Sequence, residues 1–296
     1  KEITPSYLLV LNLFRDQLDR YGEVATIADK WEKAFGKLPE KSILVVNADD
    51  PRTAYLGMKR ANTLYFGLPE PDKRITTHHE VTDSSYCPRC REKLKYHYIL
   101  YSHLGDWYCP HCKLKRPEIK ISNHIFLSLS GIYNLSNAHG IIVLAHKLGT
   151  HDEVIANSLK TLKPAFGRQE KIMVGSKQTQ VFLVKNPTGF NESLRTIADL
   201  KGKHILILLN DGIADGKDVS WIWDIDLESY LPGLTHITLS GSRCFDLGLR
   251  LKYASGEQIA QSIWHIEDNL ENAINNALTN LPEGETLYIL PTYTAM

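Results

Sequence analysis

Two things are missing from this 296-residue chain: a surplus of either charge, and any apolar run long enough to cross a bilayer. Its 34 basic residues are balanced by 34 acidic ones. A chain whose main partner is a polyphosphate backbone carries a basic excess, so the balance speaks against broad nucleic-acid binding. The longest apolar runs, "YLLVLNLF" and "HILILLN", fall well short of the roughly 18 residues that a transmembrane helix needs. They have the length of buried strands. Internal repeats and low-complexity tracts are also missing. So is the G-x-x-x-x-G-K-[ST] phosphate loop, because "GKLPE", "GKH" and "GKD" lack the hydroxyl residue. Cysteine is scarce, with five in all. Four of them are paired in a way that, in a reducing cytosol, implies a metal rather than disulfides.

What is present is an alternation of strand-like and helix-like stretches, in a chain long enough for two domains. "YLLVLNLF" (7–14) is followed by the helical "DQLDRYGEVATIADKWEKAFGKL" and then by "KSILVVNADD", a strand ending in an acidic turn. "IIVLAHKLG" and "EVIANSLKTL" repeat apolar residues at three and four, the helical period. "QTQVFLVKN", "HILILLND", "HITLSG" and "TLYILP" are nearly continuous apolar runs, as expected when helices cover both faces of a parallel sheet. The fold class read from this pattern is α/β with open, mostly parallel sheets. A boundary falls near 157–168, where "NSLKTLKPAFGRQE" ends a helix with Pro and Gly. This divides the chain into domains of about 1–160 and 161–296. Residues about 80–118 interrupt the alternation with cysteines, tyrosines and short hairpin-like runs.

That interruption holds Cys87, Cys90, Cys109 and Cys112, two Cys-x-x-Cys pairs separated by eighteen residues. Four thiolates complete a tetrahedral zinc shell and leave no open position for water, so the implied Zn²⁺ is structural. Pro88 and Pro110 stiffen the two turns. His97, His103 and His111 lie close enough in sequence to compete as ligands, although packed or exposed histidines are the simpler reading.

A second candidate is "NDGIADGKD" (210–218), in which Asp211, Asp215 and Asp218 follow directly on an apolar strand. Open parallel sheets bind ligands at the carboxyl ends of their strands. Carboxylates there can hold Mg²⁺, bind a ribose, or orient and deprotonate a nucleophile. Asp and Gly are equally ordinary turn formers, and composition alone leaves both readings open. "NADDP" (47–51) is another acidic turn after a strand. Asn134 and Asn137, three apart in "GIYNLSNAHG", could read a purine edge or serve as caps.

Taken in order, "NLFRDQLDRYG", "NADDP", "SGIYNLSNAHG", "FGRQE", "KNPTGFNE", "NDGIADGKDVSWIWD", "SGSRCFDLGLRLKYA" and "LPTYTAM" resemble the Mur ligase superfamily. With the four-cysteine insertion, they resemble its MurT branch, the ligase-like subunits of bacterial lipid II isoglutaminyl synthase. The resemblance spans nearly the whole chain. It implies part of the central ATPase domain with an inserted zinc ribbon, followed by a Rossmann-like C-terminal ligase domain. The implied chemistry is ATP-dependent activation of the D-glutamate α-carboxyl of the lipid II stem peptide to an acyl phosphate. Ammonia then attacks to give D-isoglutamine. ATP, Mg²⁺ and Zn²⁺ are the implied cofactors, and the implied location is the cytoplasmic face of the membrane. The family's phosphate loop is expected upstream of residue 1, and the chain by itself is expected not to turn over.

Carried over residue by residue, the resemblance sets Asn134 and Asn137 against adenine and makes Arg168 the hinge arginine that reaches the nucleotide. Asp211 falls near the ribose, and Asp215 and Asp218 fall among the amine-handling groups. Gln17 stands where the family usually has a metal-binding His, which puts a direct metal contact there in doubt. Ammonia at neutral pH is almost all ammonium, so a glutaminase must supply it. Cys244, the spare thiol, lacks the glycine that follows a glutaminase nucleophile and reads as a buried structural residue. The resemblance therefore implies a separate GatD-type glutaminase subunit. Two rivals remain: an amino-acid ligase of the Mur or folylpolyglutamate type, which would need a basic pocket for the incoming carboxylate, and a zinc-ribbon binding module without catalysis.

Overall fold

The computed structural model describes residues 3–16, 22–71, 83–119, 126–164, 166–255 and 264–296. Gln17 and the start of the insertion at 80–82 lie outside them. The chain forms two compact units, one of residues 1–15 and 21–162, the other of residues 16–20 and 163–296.

The first unit is built on a three-stranded parallel sheet in the order β1 (Tyr7–Val10), β2 (Ile43–Asn47), β3 (Thr63–Phe66). β2 is central, and its Leu44, Val45 and Val46 are fully buried, so this short strand reads as one apolar run. Helix α1 (Val24–Gly36) packs Phe35 and Trp31 against Val10, Leu44 and Val46. Helix α2 (Pro51–Met58) starts where Asp50 accepts hydrogen bonds from the N–H groups of Arg52 and Thr53, with Pro51 at its first position. Both features favour a helix start. Helix α3 (Ile132–Lys147) lies close to the sheet, because a Cβ at Gly140 would stand 3.0 Å from the Phe66 ring and 3.1 Å from Leu9. Helix α4 (Asp152–Lys160) buries Ile155 and Leu159 against Ala138 and Ile142. The insertion forms an antiparallel hairpin of β4 (Lys95–Tyr101) and β5 (Leu104–Tyr108), flanked by two short turns.

The second unit holds a six-stranded sheet in the order β10-β9-β8-β11-β7-β6. Its strands are β6 (Arg168–Val174), β7 (Lys177–Phe182), β8 (His204–Leu208), β9 (His236–Ser240), β10 (Trp264–Ile266) and β11 (Thr286–Pro291). All neighbours run parallel except β6 and β7. Every residue of β8 is buried, which explains its uninterrupted apolar sequence. Helices α5 (Pro187–Asp199), α6 (Leu227–Tyr230) and α7 (Cys244–Ser255) cover one face, contributing Phe190, Ile197, Leu227 and Leu251 to its core. Helix α8 (Leu270–Thr279) closes the other face with Ala273 and Ala277 against Leu206 and Leu208. None of the described helices is long and apolar enough to cross a membrane.

Candidate metal centre and acidic turns

The four cysteines converge. Their sulfurs all lie within 4.8 Å of one another, with Cys87 Sγ 3.6 Å from Cys112 Sγ and Cys90 Sγ 3.5 Å from Cys109 Sγ. A tetrahedral zinc with bonds of about 2.3 Å would set its sulfurs about 3.8 Å apart, so the cage fits that ion. The local chain explains the convergence. In the first turn Cys87 N–H donates to Glu92 O at 2.8 Å and Arg91 N–H to Cys87 O at 2.9 Å. In the second, Cys109 N–H donates to Leu114 O at 2.7 Å and Cys112 N–H points at Cys109 Sγ at 3.4 Å. Arg91 and Lys113, each following the second cysteine of its pair, both take a left-handed φ (65° and 61°).

Burial pushes the Cys87 thiol up to about 12. Burial also resists ionisation at Cys109, but the N–H of Cys112 and the neighbouring thiols outweigh it and lower that group to about 6. None of the three histidines joins the group of four sulfurs. His97 bonds Asp106 at 2.9 Å and stacks on Tyr108, His111 is exposed, and His103 is buried beside Asp50 at 3.6 Å.

The "NADDP" turn is fully buried at Asn47, Asp49 and Asp50. Asp50 caps α2 and accepts the Leu13 N–H at 2.7 Å. Asp49 accepts the Leu68 N–H at 2.9 Å and pairs with Arg116, whose Nε and Nη2 stand 2.8 and 2.5 Å from Oδ1. Burial raises Asp49 to about 6 in spite of that arginine. Both carboxylates are thus engaged by the protein itself. Among the described residues the four cysteines are the one group of three or more His, Cys, Asp or Glu side chains able to hold an ion.

On α3, Asn134 Nδ2 donates to Ser130 O at 2.7 Å, fixing the first turn, and Asn137 lies partly exposed one turn on. Arg168 opens β6, exposed and opposite Phe182.

The structure separates the three aspartates of 210–218. Asp211 lies at the carboxyl edge of the six-stranded sheet. Ser242 Oγ donates to its Oδ1 at 3.0 Å, and Arg243 Nη1 stands 3.6 Å from its Oδ2. Asn210 supports the arrangement by accepting the Ser242 N–H at 2.8 Å. Gly241 makes the turn possible: its φ is +99° and a Cβ there would stand 2.4 Å from Leu209 O. Asp215 is buried and turned toward Thr294, which donates to it from both backbone and hydroxyl. Asp218 is exposed, and Ser220 N–H donates to it at 2.8 Å where the 3₁₀ helix Ser220–Asp224 begins. Those bonds from Ser220 hold its carboxyl below the ordinary range.

The "SWIWD" segment is anchored by a residue that sequence reasoning missed. Arg250 of α7 is buried and donates to Ile222 O at 3.2 Å, Ile225 O at 2.6 Å and Glu228 at 2.8 Å. A charged residue amid the apolar period of α7 was the available signal. Ser242 and Arg243 were also missed, and being the first residues after a strand was theirs. Cys244 is buried at the start of α7, where burial pushes its thiol up. This suits a structural role better than a nucleophilic one.

Residues 1–145 match the Mur ligase middle domain, and residues 183–296 match the MurT ligase C-terminal family. A MurT subunit of lipid II isoglutaminyl synthase (glutamine-hydrolyzing) from Streptococcus pneumoniae is 30% identical over 317 aligned residues, covering 99% of this chain and 69% of that protein. The chain belongs to the MurT family. A MurT subunit from Staphylococcus aureus is 31% identical over 275 residues, and the match covers 87% of this chain and 62% of the length of that relative. Among solved structures, a pseudomurein peptide ligase type C from Methanothermus fervidus superposes with a TM-score of 0.72 at 22% identity, over 97% of this chain and 61% of its own. MurF from Acinetobacter baumannii superposes at 0.64 with 17% identity, over 99% of this chain and 58% of its own. These structural likenesses establish the α/β Mur ligase fold that this MurT-family chain adopts.

Proposed function

We propose that this chain supplies the nucleotide-contact and amide-forming parts of a lipid II isoglutaminyl synthase. The reaction is ATP-dependent: the γ-phosphoryl group passes to the D-glutamate α-carboxylate, ADP leaves, and the acyl phosphate is attacked by ammonia. The tetrahedral adduct expels phosphate and sheds a proton, leaving the primary amide of D-isoglutamine. Ammonia comes from a GatD-type glutaminase in a second subunit, a reading supported by the relatives' being subunits of a glutamine-hydrolyzing synthase. Substrate and partner are read from those relatives, and the working place that follows is the inner face of the bacterial membrane.

In this reading Asn134, Asn137 and Arg168 face the nucleotide and Asp211 its ribose. Asp218, and less directly Asp215, act at the amine side. A carboxylate held ionised next to the acyl phosphate can orient an incoming ammonium and take its proton at the moment of attack. Magnesium arriving with ATP is ordinarily held by phosphate oxygens, waters and one or two carboxylates, so no protein cage is required. Zinc in the four-cysteine cage would have no open position and would act structurally. No triphosphate loop is assigned to these 296 residues, and turnover by them alone is not expected.

The observation that carries ammonia over an amino acid as nucleophile is that MurT relatives, 30 and 31% identical, are subunits of a glutamine-hydrolyzing isoglutaminyl synthase. The test is mass spectrometry of lipid II after incubation with ATP, glutamine and the reconstituted complex. Amidated lipid II is expected. An added amino acid in place of the amide would overturn the reading in favour of an amino-acid ligase.

A further inference from the structure

The cysteine ribbon is fastened to the loops that follow all three strands of the first unit's parallel sheet. At β1, Arg15 Nε donates to Asp83 Oδ1 at 2.5 Å, just where the ribbon begins. At β2, Trp107 Nε1 donates to Ala48 O at 2.9 Å and Gly105 N–H to Asp49 O at 3.0 Å. At β3, Arg116 Nη2 donates to Leu68 O at 2.8 Å while the same side chain pairs with Asp49. Gly67 leaves room for that pairing, since a Cβ there would stand 2.6 Å from Asp49 Oδ1 and 2.8 Å from Arg116 Nη2. Trp107 is fully buried, so its bond to Ala48 is made away from water, where a hydrogen bond is stronger and a lost partner costs more; the bonds from Arg15 and Arg116 are partly buried.

The second cysteine pair is the turn that joins the two main fasteners. Arg116 N–H donates to Trp107 O at 2.9 Å, and Cys109 N–H donates to Leu114 O inside that bond. Trp107 and Arg116 are therefore opposite ends of one short hairpin whose tip is Cys109–Cys112. An ion held by Cys109 and Cys112 closes the tip and fixes the spacing of the two side chains. Without it, the tip retains its hydrogen bonds, among them Cys112 N–H to Cys109 Sγ and Lys113 Nζ to Pro110 O, and a left-handed Lys113.

We propose that the ribbon is a metal-dependent clamp on the loops after β1, β2 and β3, with Arg116 as its positioning residue. Metal binding and the Asp49–Arg116 pair are then linked, and each strengthens the other to the same degree. The clamp rests on the reading of the four cysteines as a metal site. It also gives the buried "NADDP" turn its purpose: Asp49 is a latch for the ribbon, and Asp50 holds the loop after β1 through Leu13.

The zinc-loaded chain tests this in two measurements. Zinc release to an excess of a coloured chelator should be about tenfold faster in Arg116→Ala than in the unaltered chain. Arg116→Lys, which keeps the charge but loses the fork, should fall between them. Hydrogen exchange of the Leu13 and Leu68 amides, which Asp50 and Asp49 hold, should rise on zinc removal, while Ile207 and Leu239 in the second unit stay unchanged. Equal release rates in all three proteins, or exchange that rises only within 87–115, would overturn the clamp while leaving the metal site intact. A chain that binds no zinc overturns the metal reading and the clamp with it. Should Arg116→Ala fail to fold, Asp49→Asn, which keeps the shape of the side chain but weakens its pairing with Arg116, is read in the same way.

Discussion

Asp215 and Thr294, 79 residues apart, are joined twice: the Thr294 N–H donates to Asp215 Oδ1 at 3.0 Å, and its hydroxyl donates to Oδ2. This pair ties the loop after β8 to the turn after β11. Removing one partner of a buried hydrogen bond to a charged group costs about 2 kcal/mol. Asp215→Ala should therefore lower the stability of the second unit by about that much in urea unfolding, and Thr294→Val by about 1 kcal/mol. The double variant should cost less than the sum, because both changes remove the same interaction. Strict additivity would show that the two side chains act independently.

The metal site makes its own prediction. One zinc per chain is expected by elemental analysis, held by Cys87, Cys90, Cys109 and Cys112. Cys87→Ser should lose it and destabilise the ribbon and α2, since Cys87 packs in one cluster with Ala54, Leu94 and Trp107. A metal-free protein with an unchanged melting curve would contradict this.

These two sites differ in how openly the sequence displayed them. The cysteine spacing is local, with each pair closing its own turn, and was read directly. The same holds for β8 and β9, whose buried runs announce a covered parallel sheet, and for α3 and α4, whose apolar period is helical. β6 was not read as a strand. It is a mostly exposed antiparallel edge, "RQEKIMV", with a left-handed Gln169, so nothing in its composition demanded burial. The aspartates were identified as a group but not told apart. What distinguishes Asp215 is Thr294, and what distinguishes Asp49 is Arg116, partners 79 and 67 residues away. No spacing rule reaches that far.

Glu192 predicts a pH dependence. It is buried on α5, and desolvation raises it from 4.5 to about 7 despite Arg195. The folded chain therefore keeps a proton that the unfolded chain releases above about pH 4.5. Stability should fall as pH rises from about 4.5 to about 7 and level off beyond. The loss from this group is on the order of 3 kcal/mol. Glu192→Gln should flatten that slope and be the more stable protein at pH 8 by urea unfolding. An unchanged slope would mean the carboxyl titrates at its ordinary value.

Gly241 should prove essential to the Asp211 arrangement. Gly241→Ala forces a side chain into a left-handed φ and against Leu209 O, a strain on the order of 1–3 kcal/mol. The turn should relax by moving Ser242 away from Asn210 and Asp211. In the complete complex, the expected result is a several-fold higher KM for ATP with the fold retained by circular dichroism. An unchanged KM would remove Asp211 from the nucleotide's surroundings.

Asp218 offers the sharpest test of the proposed chemistry because its structural role can be kept while its charge is removed. It accepts the Ser220 N–H in an Asx turn just before the 3₁₀ helix Ser220–Asp224, a turn that asparagine makes as well as aspartate. Asp218→Asn should therefore alter stability by less than about 0.5 kcal/mol. An asparagine cannot accept a proton from ammonium, so amide formation should fall by about 100-fold or more if the carboxylate acts as base. Under the proposed division of labour, glutamine hydrolysis by the partner subunit should continue, and free ammonia should accumulate in place of amidated lipid II. The measurement is lipid II by mass spectrometry, with ammonia release and ATP affinity followed in parallel. Asp211→Asn should instead weaken ATP binding, and Asp215→Asn should act through stability. Wild-type amidation by all three variants would reduce the segment 210–218 to an ordinary acidic turn.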